Sequence, residues 1–188
     1  MRKLILVRHS LPAISSRTPA SQWQLSEEGR RRCERLADLL APHRPGAIFT
    51  STEPKAIETG QIVGRLLGIP VEAAPDLHEH VRPGTDLDTV EQFQTKVAQL
   101  LQHPSESAFG AETGAEARER FSAALHDVMR QRPNGNLSIV SHGTVMTLFV
   151  ARAAGIDPVP FWTELGLPAF VVLSYPGLAL REVVATVV

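Results

Sequence analysis

The fold is decided near the amino terminus by the stretch Leu4-Ile5-Leu6-Val7-Arg8-His9. Its first four residues are all apolar, which is typical of a short strand that is covered on both faces, as in a parallel sheet. The polar pair Arg8-His9 lies at the carboxyl end of this strand. Because ligands of open α/β sheets bind outside the carboxyl ends of the strands, we expect the pair to face a binding crevice.

Two further apolar runs repeat this pattern. Ala47-Ile48-Phe49-Thr50 and Leu137-Ser138-Ile139-Val140 both indicate short buried strands, and Ser141-His142-Gly143 follows the second one. A histidine therefore follows a strand for the second time. The sequence predicts that the rings of His9 and His142 reach the same crevice.

Helices are predicted between and after these strands. Ser26 is a suitable N-cap for the first helix, while Pro54 and Gly68 suit the first turn and the end of the second. The predicted helical ranges are about 27–41, 54–67, 87–102, 114–131 and 145–154. Further strands are predicted at 71–73, 170–174 and 180–187, the last two joined by a turn at 175–177.

These elements predict an α/β protein whose mostly parallel sheet has at least one antiparallel strand and is wrapped by helices. Of the 188 residues, 43% are hydrophobic and 21% are charged, which is ordinary for one soluble domain over 1–188. No internal repeat and no low-complexity linker interrupts the chain.

Charge and cysteine content exclude several classes of function. The formal net charge is -1, so neither nucleic acid nor an anionic membrane surface is an expected partner. The basic run Arg30-Arg31-Arg32 shares its helix with Glu27 and Glu28, which favours a salt-bridged surface. Cys33 is the only cysteine, which excludes an intramolecular disulfide and favours a reducing, cytoplasmic location. No secretion signal and no apolar run of about 20 residues is visible.

Four short motifs occur in order along the chain. They are Leu6-Val7-Arg8-His9, Leu25-Ser26-Glu27-Glu28-Gly29, Thr50-Ser51 with Lys55-Ala56-Ile57-Glu58-Thr59, and Val140-Ser141-His142-Gly143. Together they resemble the histidine phosphatase superfamily, which includes cofactor-dependent phosphoglycerate mutase. The resemblance implies a three-layer α/β/α, phosphoglycerate mutase-like fold. It also implies a phosphatase that hydrolyses a small phosphomonoester without a metal or other cofactor, through a phosphohistidine.

The resemblance assigns roles to residues at the two strand ends. His9 is expected to be the nucleophile, since a neutral imidazole nitrogen can attack phosphorus and the N–P bond remains open to hydrolysis. Arg8 is expected to bind phosphate oxygens through its planar fork of donors. His142 would stabilise charge in the transition state, and Gly143 would allow close approach of the backbone.

The leaving oxygen needs a proton, and the resemblance assigns this task to Glu79 in the segment Asp76-Leu77-His78-Glu79-His80. We expect burial to keep its carboxyl group protonated. Asp76, His78 and His80 are competing acids. The histidines and Glu79 also invite a metal site, but no third ligand follows at helical spacing, so no metal is predicted.

Three features depart from the family pattern. Lys55 stands where arginine is most common, so it supplies charge without bidentate geometry. Ser10 stands where glycine is common and is small enough for the turn. The loop 11–24 lacks the family's asparagine, and Ser15, Ser16 and Arg17 are candidate substitutes that bind the substrate.

Several alternatives remain open at the level of sequence. A phosphoglycerate mutase would use the same residues, although this chain is shorter than typical mutases. A protein phosphatase acting on phosphohistidine and an inactive phosphate-binding module are further alternatives. The expected partner is a small phosphorylated metabolite. The apolar run at 183–188 could pair with its own sheet or with a second copy in a homodimer.

Overall fold

Six strands form one sheet in the computed structural model, which describes residues 2–82, 89–107 and 109–187. The strands are β1 (Arg2–Arg8), β2 (Pro45–Thr50), β3 (Val71–Ala73), β4 (Asn136–Ser141), β5 (Ala169–Tyr175) and β6 (Leu180–Val184). Their spatial order is β3-β2-β4-β1-β5-β6. The first four strands are parallel to one another, and β5 is antiparallel to both of its neighbours. This confirms the predicted sheet.

Helices cover both faces of the sheet. In the described residues they are α1 (Glu27–Leu40), α2 (Pro54–Leu67), α3 (Val90–Gln102), α4 (Gly114–Gln131), α5 (Gly143–Ala154) and α6 (Pro158–Glu164). Side chains of a strand alternate between the faces, so Leu4 and Leu6 of β1 pack with α3 to α6, whereas Ile5 and Val7 pack with α1 and α2. The expected three-layer α/β/α arrangement is therefore confirmed.

Helix boundaries follow the predicted capping residues at several ends. The Ser26 side chain accepts a hydrogen bond from the backbone N–H of Gly29, and α2 ends at Gly68 with the left-handed φ of 66° that favours glycine. Helix α3 begins at Val90 after a capping box between Thr89 and Gln92. The predicted start of this helix, at about residue 87, lies outside the described residues.

Two details of the helix prediction are wrong. Helix α5 begins at Gly143 and not at about residue 145, because His142 is still extended and the chain turns helical directly after it. Helix α6 was not predicted at all. Its signal was an N-cap followed by proline: the Asp157 side chain accepts from the N–H of Val159, and Pro158 occupies the first position.

The apolar carboxyl-terminal run pairs with its own sheet. Strand β6 pairs with β5, and beyond it the N–H of Val187 donates to the carbonyl of Pro168 at 3.1 Å. The side chain of Val187 is buried. No helix in the described ranges is both long and apolar enough to cross a membrane.

Candidate active site

The ends of β1 and β4 bring the two predicted histidines together. These strands are parallel neighbours with Arg8 opposite Ser141, and the N–H of His9 donates to the Ser141 carbonyl at 2.9 Å. Each histidine directly follows its strand, so the ring centroids of His9 and His142 lie 5.1 Å apart with planes at 63°. His9 is 7% exposed and His142 is fully buried. The two rings therefore lie close together, as the sequence predicts.

The imidazole of His9 is held in one tautomer. Its Nδ1 lies 2.7 Å from the carbonyl oxygen of Ser10, which can only accept, so Nδ1 carries the proton and Nε2 keeps a free lone pair. Burial lowers the pKa of His9 to about 3, and the positive charges of Lys55 and Arg8 contribute. His9 is therefore neutral at physiological pH, as a nucleophile must be.

His142 lies behind this nucleophile in a polar environment. Its Nε2 is 2.8 Å from the hydroxyl of Ser51 and 3.4 Å from Oε1 of Glu53. Burial holds the pKa of His142 well below its ordinary value, and the nearby titratable ring of His9 and the positive charge of Lys55 act in the same direction. Its Nδ1 is buried and has no hydrogen-bond partner among the described residues.

Arg8 brings a guanidinium group against the start of α5. One terminal nitrogen donates to the carbonyl of Leu165, while Nε is buried without a partner among the described residues. A Cβ atom on Gly143 would lie 2.9 Å from Cζ of Arg8. A side chain at position 143 would displace the guanidinium group, so packing of Arg8 favours glycine there, and the role of Gly143 in the approach of a ligand stays a prediction.

Lys55 is almost completely buried, with 5% exposure. Its ammonium group donates to the carbonyl of Ala20 at 2.7 Å and to the carboxylate of Glu53. The ammonium is thus fixed by the loop before α1 and by the residue that precedes α2. Its charge also acts on both histidines.

Ser10 is used inside the fold. Its hydroxyl donates to the carbonyl of Gly29 at 2.7 Å, and its N–H donates to the hydroxyl of Thr59 at 3.0 Å. The side chain therefore ties the turn after β1 to the start of α1, which explains why serine is tolerated in this turn.

Glu79 caps the amino terminus of α5. Its carboxylate accepts from the N–H groups of Thr144 at 3.0 Å, Val145 at 3.1 Å and His80 at 2.9 Å, and Arg82 lies 3.5 Å away. Burial alone would raise the pKa of Glu79, but Arg82 and these backbone donors lower it on balance. The expectation that burial keeps this carboxyl group protonated is therefore wrong, because it is ionised near neutral pH.

None of the three competing acids of the same segment forms a side-chain hydrogen bond with His9 or His142 among the described residues. Asp76 is exposed and lines a cavity of about 250 Å³ against α4. The ring of His80 lies 2.7 Å from the carbonyl of Glu112, and His78 is half-buried with its carbonyl bound by Arg120. Among these four residues, Glu79 is the one whose side chain accepts hydrogen bonds from the start of the helix following His142.

The loop 11–24 contacts the site through its backbone. The carbonyl of Ala20 binds Lys55, whereas the Ser15 hydroxyl accepts from the N–H of Arg17 at 3.1 Å. Ser16 is exposed. Neither Ser15 nor Ser16 forms a hydrogen bond with the histidines or cations of the site within the described chain, so their binding role stays a prediction.

Sequence reasoning missed three contributors to the site. Ser51 lay within a quoted motif at the end of β2, so its position was a usable signal. Glu53 follows the same strand, but only the tertiary structure shows its contacts with Lys55 and Glu79. Arg120 had no signal at all: it binds the Glu79 carbonyl from 41 residues away.

A family model described as "Histidine phosphatase superfamily (branch 1)" matches residues 4–177. The chain belongs to this superfamily. Among curated relatives, phosphoserine phosphatase 1 of Hydrogenobacter thermophilus is 25% identical, covering 87% of this chain and 81% of its own. Glucosyl-3-phosphoglycerate phosphatase of Mycolicibacterium vanbaalenii is 22% identical, covering 88% of this chain and 80% of its own.

Solved structures of similar proteins share the fold of this superfamily member. A mutant phosphoserine phosphatase of Entamoeba histolytica, in complex with phosphoserine, has a TM-score of 0.78 at 17% identity over 98% of each chain. A mycobacterial glucosyl-3-phosphoglycerate phosphatase in complex with VO3 has a TM-score of 0.75 at 21% identity, covering 99% of this chain and all of its own. The predicted phosphoglycerate mutase-like fold is confirmed.

Proposed function

We propose that this superfamily member hydrolyses a small phosphomonoester through a phosphohistidine on His9, without a metal ion. The observation that carries the proposal is the pairing of a neutral His9, whose Nε2 is free, with His142 at 5.1 Å. The superfamily and the names of the curated relatives support a phosphoric monoester hydrolase. Both relatives are named for substrates that are small phosphorylated metabolites.

In the first step Nε2 of His9 attacks phosphorus. An N–P bond forms, the P–O bond to the leaving alcohol breaks, and the alkoxide takes up a proton. Arg8 and Lys55 offset the negative charge of the phosphate oxygens, and the unpartnered Nδ1 of His142 can donate to one of them. No metal-bound water is required, because the nucleophile is the ring nitrogen itself.

The proton for the alkoxide passes through Glu79. This carboxylate is ionised before the substrate arrives, but a phosphomonoester has a second pKa of about 6 and carries a proton in part of its population. Negative charge on the bound phosphate raises the pKa of the nearby carboxyl group, so Glu79 can take this proton and deliver it. In the second step water attacks phosphorus and gives a proton to Glu79, which is ionised again; the N–P bond breaks, and inorganic phosphate leaves a neutral His9.

Hydrolysis of para-nitrophenyl phosphate in excess EDTA tests the proposal. Activity should persist in EDTA and fall by at least about a thousandfold in His9→Ala, since the covalent route is lost. His126→Ala, at an exposed position on α4, is the matched control and should keep wild-type activity. Dependence on an added metal, or full activity without His9, would overturn the proposal.

Phosphatase and mutase differ only in the acceptor of the phosphoryl group. A panel of phosphorylated metabolites, including phosphoserine and phosphoglycerates, should yield one inorganic phosphate per substrate consumed. Transfer to a second hydroxyl group would identify a mutase, and release from phosphohistidine peptides alone would identify a protein phosphatase. Binding without turnover in the entire panel would identify an inactive phosphate-binding module.

We place the activity in the cytoplasm on the basis of cysteine usage.

A further inference from the structure

The least expected group in the site is the carboxylate of Glu53. It is a buried anion, with 8% of the residue exposed, in a place that must accept a phosphate. Oε2 accepts from the ammonium of Lys55, and Oε1 accepts from the N–H of Glu79 at 3.0 Å. Oε1 also lies 3.4 Å from Nε2 of His142. One carboxylate therefore contacts three groups of the proposed machinery.

Lysine needs such a partner at position 55 more than arginine would. An ammonium group is a point charge on a flexible four-carbon stem, whereas a guanidinium group is a rigid fork that matches phosphate oxygens two at a time. Electrostatic catalysis depends on charges that are already in place when the transition state forms. Here Glu53 and the Ala20 carbonyl hold two of the three ammonium donors and leave the third for a ligand.

Building on the proposed function, we propose that Glu53 is a positioning residue that fixes the Lys55 ammonium and couples it to the segment bearing Glu79. It acts on the reaction through these two residues. The arrangement has a built-in cost, because a carboxylate beside the anion site weakens binding of any phosphate. Glu53 therefore weakens binding of the phosphate in the ground state but fixes the positive charge of Lys55 that stabilises the transition state.

Removing the charge of Glu53 should therefore strengthen phosphate binding and slow turnover. Glu53→Gln keeps an oxygen acceptor for the N–H of Glu79 but removes the negative charge. The dissociation constant of inorganic phosphate, measured by calorimetry, should fall about threefold or more because Lys55 is no longer neutralised. In contrast, kcat should fall at least about tenfold because the ammonium loses its anchor. Partial unfolding would lower kcat without tightening phosphate binding.

A second variant tests whether the effect runs through lysine. In a Lys55→Arg background the rigid fork needs no anchor, so Glu53→Gln should change kcat less than about threefold. Glu72→Gln is the matched control. Glu72 forms an ion pair with Arg132, and the carbonyl of Arg132 is bound by Arg2. Arg2 begins β1, whereas His9 follows the other end of that strand, so the control pair lies away from the site. This control should leave both constants unchanged.

The outcomes separate this proposal from the proposed function. If wild type has no His9-dependent activity, the proposed function fails. If that activity is present but Glu53→Gln leaves kcat within twofold of wild type, the positioning role of Glu53 is overturned. Equal losses of kcat in the Lys55 and Lys55→Arg backgrounds, or weaker phosphate binding in Glu53→Gln, would also overturn it.

Discussion

The neutral ring of His9 links catalysis to the stability of the fold. Burial and neighbouring cations lower its pKa to about 3, whereas in the unfolded chain a histidine has a pKa of about 6.5. Between these values the unfolded state binds more protons than the folded state. The free energy of unfolding therefore falls as the pH decreases through this window, by about 1.4 kcal/mol per pH unit for each such histidine.

Replacing His9 should lower by up to one the number of protons taken up on unfolding, and so weaken this pH dependence. We expect the slope of unfolding free energy between pH 6 and pH 4.5, measured by urea titration, to be up to about 1.4 kcal/mol per pH unit smaller in His9→Asn than in wild type. His126→Asn, on the surface of α4, is the control for loss of a histidine as such. Identical slopes in wild type and His9→Asn would show that His9 is not held neutral by the fold.

The role of Glu79 as proton donor can be tested with two substrates whose leaving groups differ in basicity. Nitrophenolate needs little protonation, but the alkoxide of phosphoserine needs a proton as the P–O bond breaks. Glu79→Gln should therefore lower kcat/KM by about 10² or more for phosphoserine, and by less than about tenfold for para-nitrophenyl phosphate. Asp76→Asn is the matched control within the same segment. Equal slowing of both substrates would remove Glu79 as the proton donor.

The segment bearing Glu79 is held in place by α4. Arg120 donates to the carbonyls of Asp76, His78 and Glu79, and it forms an ion pair with Glu112 at 2.6 Å. The side chains of this pair are only 16% and 15% exposed. A mostly buried arginine that binds three carbonyls and a carboxylate fixes the segment with little freedom.

Removing this arginine should loosen the segment. Arg120→Ala leaves a mostly buried carboxylate and three carbonyls without their donor, so we expect a loss of about 3 kcal/mol in unfolding free energy together with a lower kcat. The control is Arg130→Ala on the same helix, where an exposed pair with Asp127 should contribute less than about 1 kcal/mol. Chemical denaturation distinguishes the two, and equal effects would contradict the anchoring role.

The elements that could be predicted from sequence are those with local signals. Four-residue apolar runs identified the strands, and Ser26, Pro54 and Gly68 identified helix ends, because strand and cap preferences act over a few residues. The protonation state of Glu79 could not be predicted. It depends on backbone donors of α5, which lies more than 60 residues further along the chain.

At the scale of the whole molecule, the topology gathers positive charge that the overall composition hides. The formal net charge is -1, yet Arg8, Lys55 and Arg82 all act electrostatically on the buried histidines or Glu79. Parallel β1 and β4, which are neighbours only after folding, align Arg8 and the two histidines at one edge of the sheet, whereas Lys55 extends from α2 and Arg82 from the segment after β3. An anion is therefore attracted to one edge of the sheet and not to the surface in general.

Trapping the covalent intermediate tests the central claim most directly. Wild-type protein, mixed with a ³²P-labelled phosphomonoester in EDTA and quenched in alkali within milliseconds, should carry label in the peptide that contains His9. The linkage should be acid-labile, as expected for an N–P bond, and absent from His9→Ala. Turnover without label on His9, or label on any other residue, would contradict a phosphohistidine mechanism at this site.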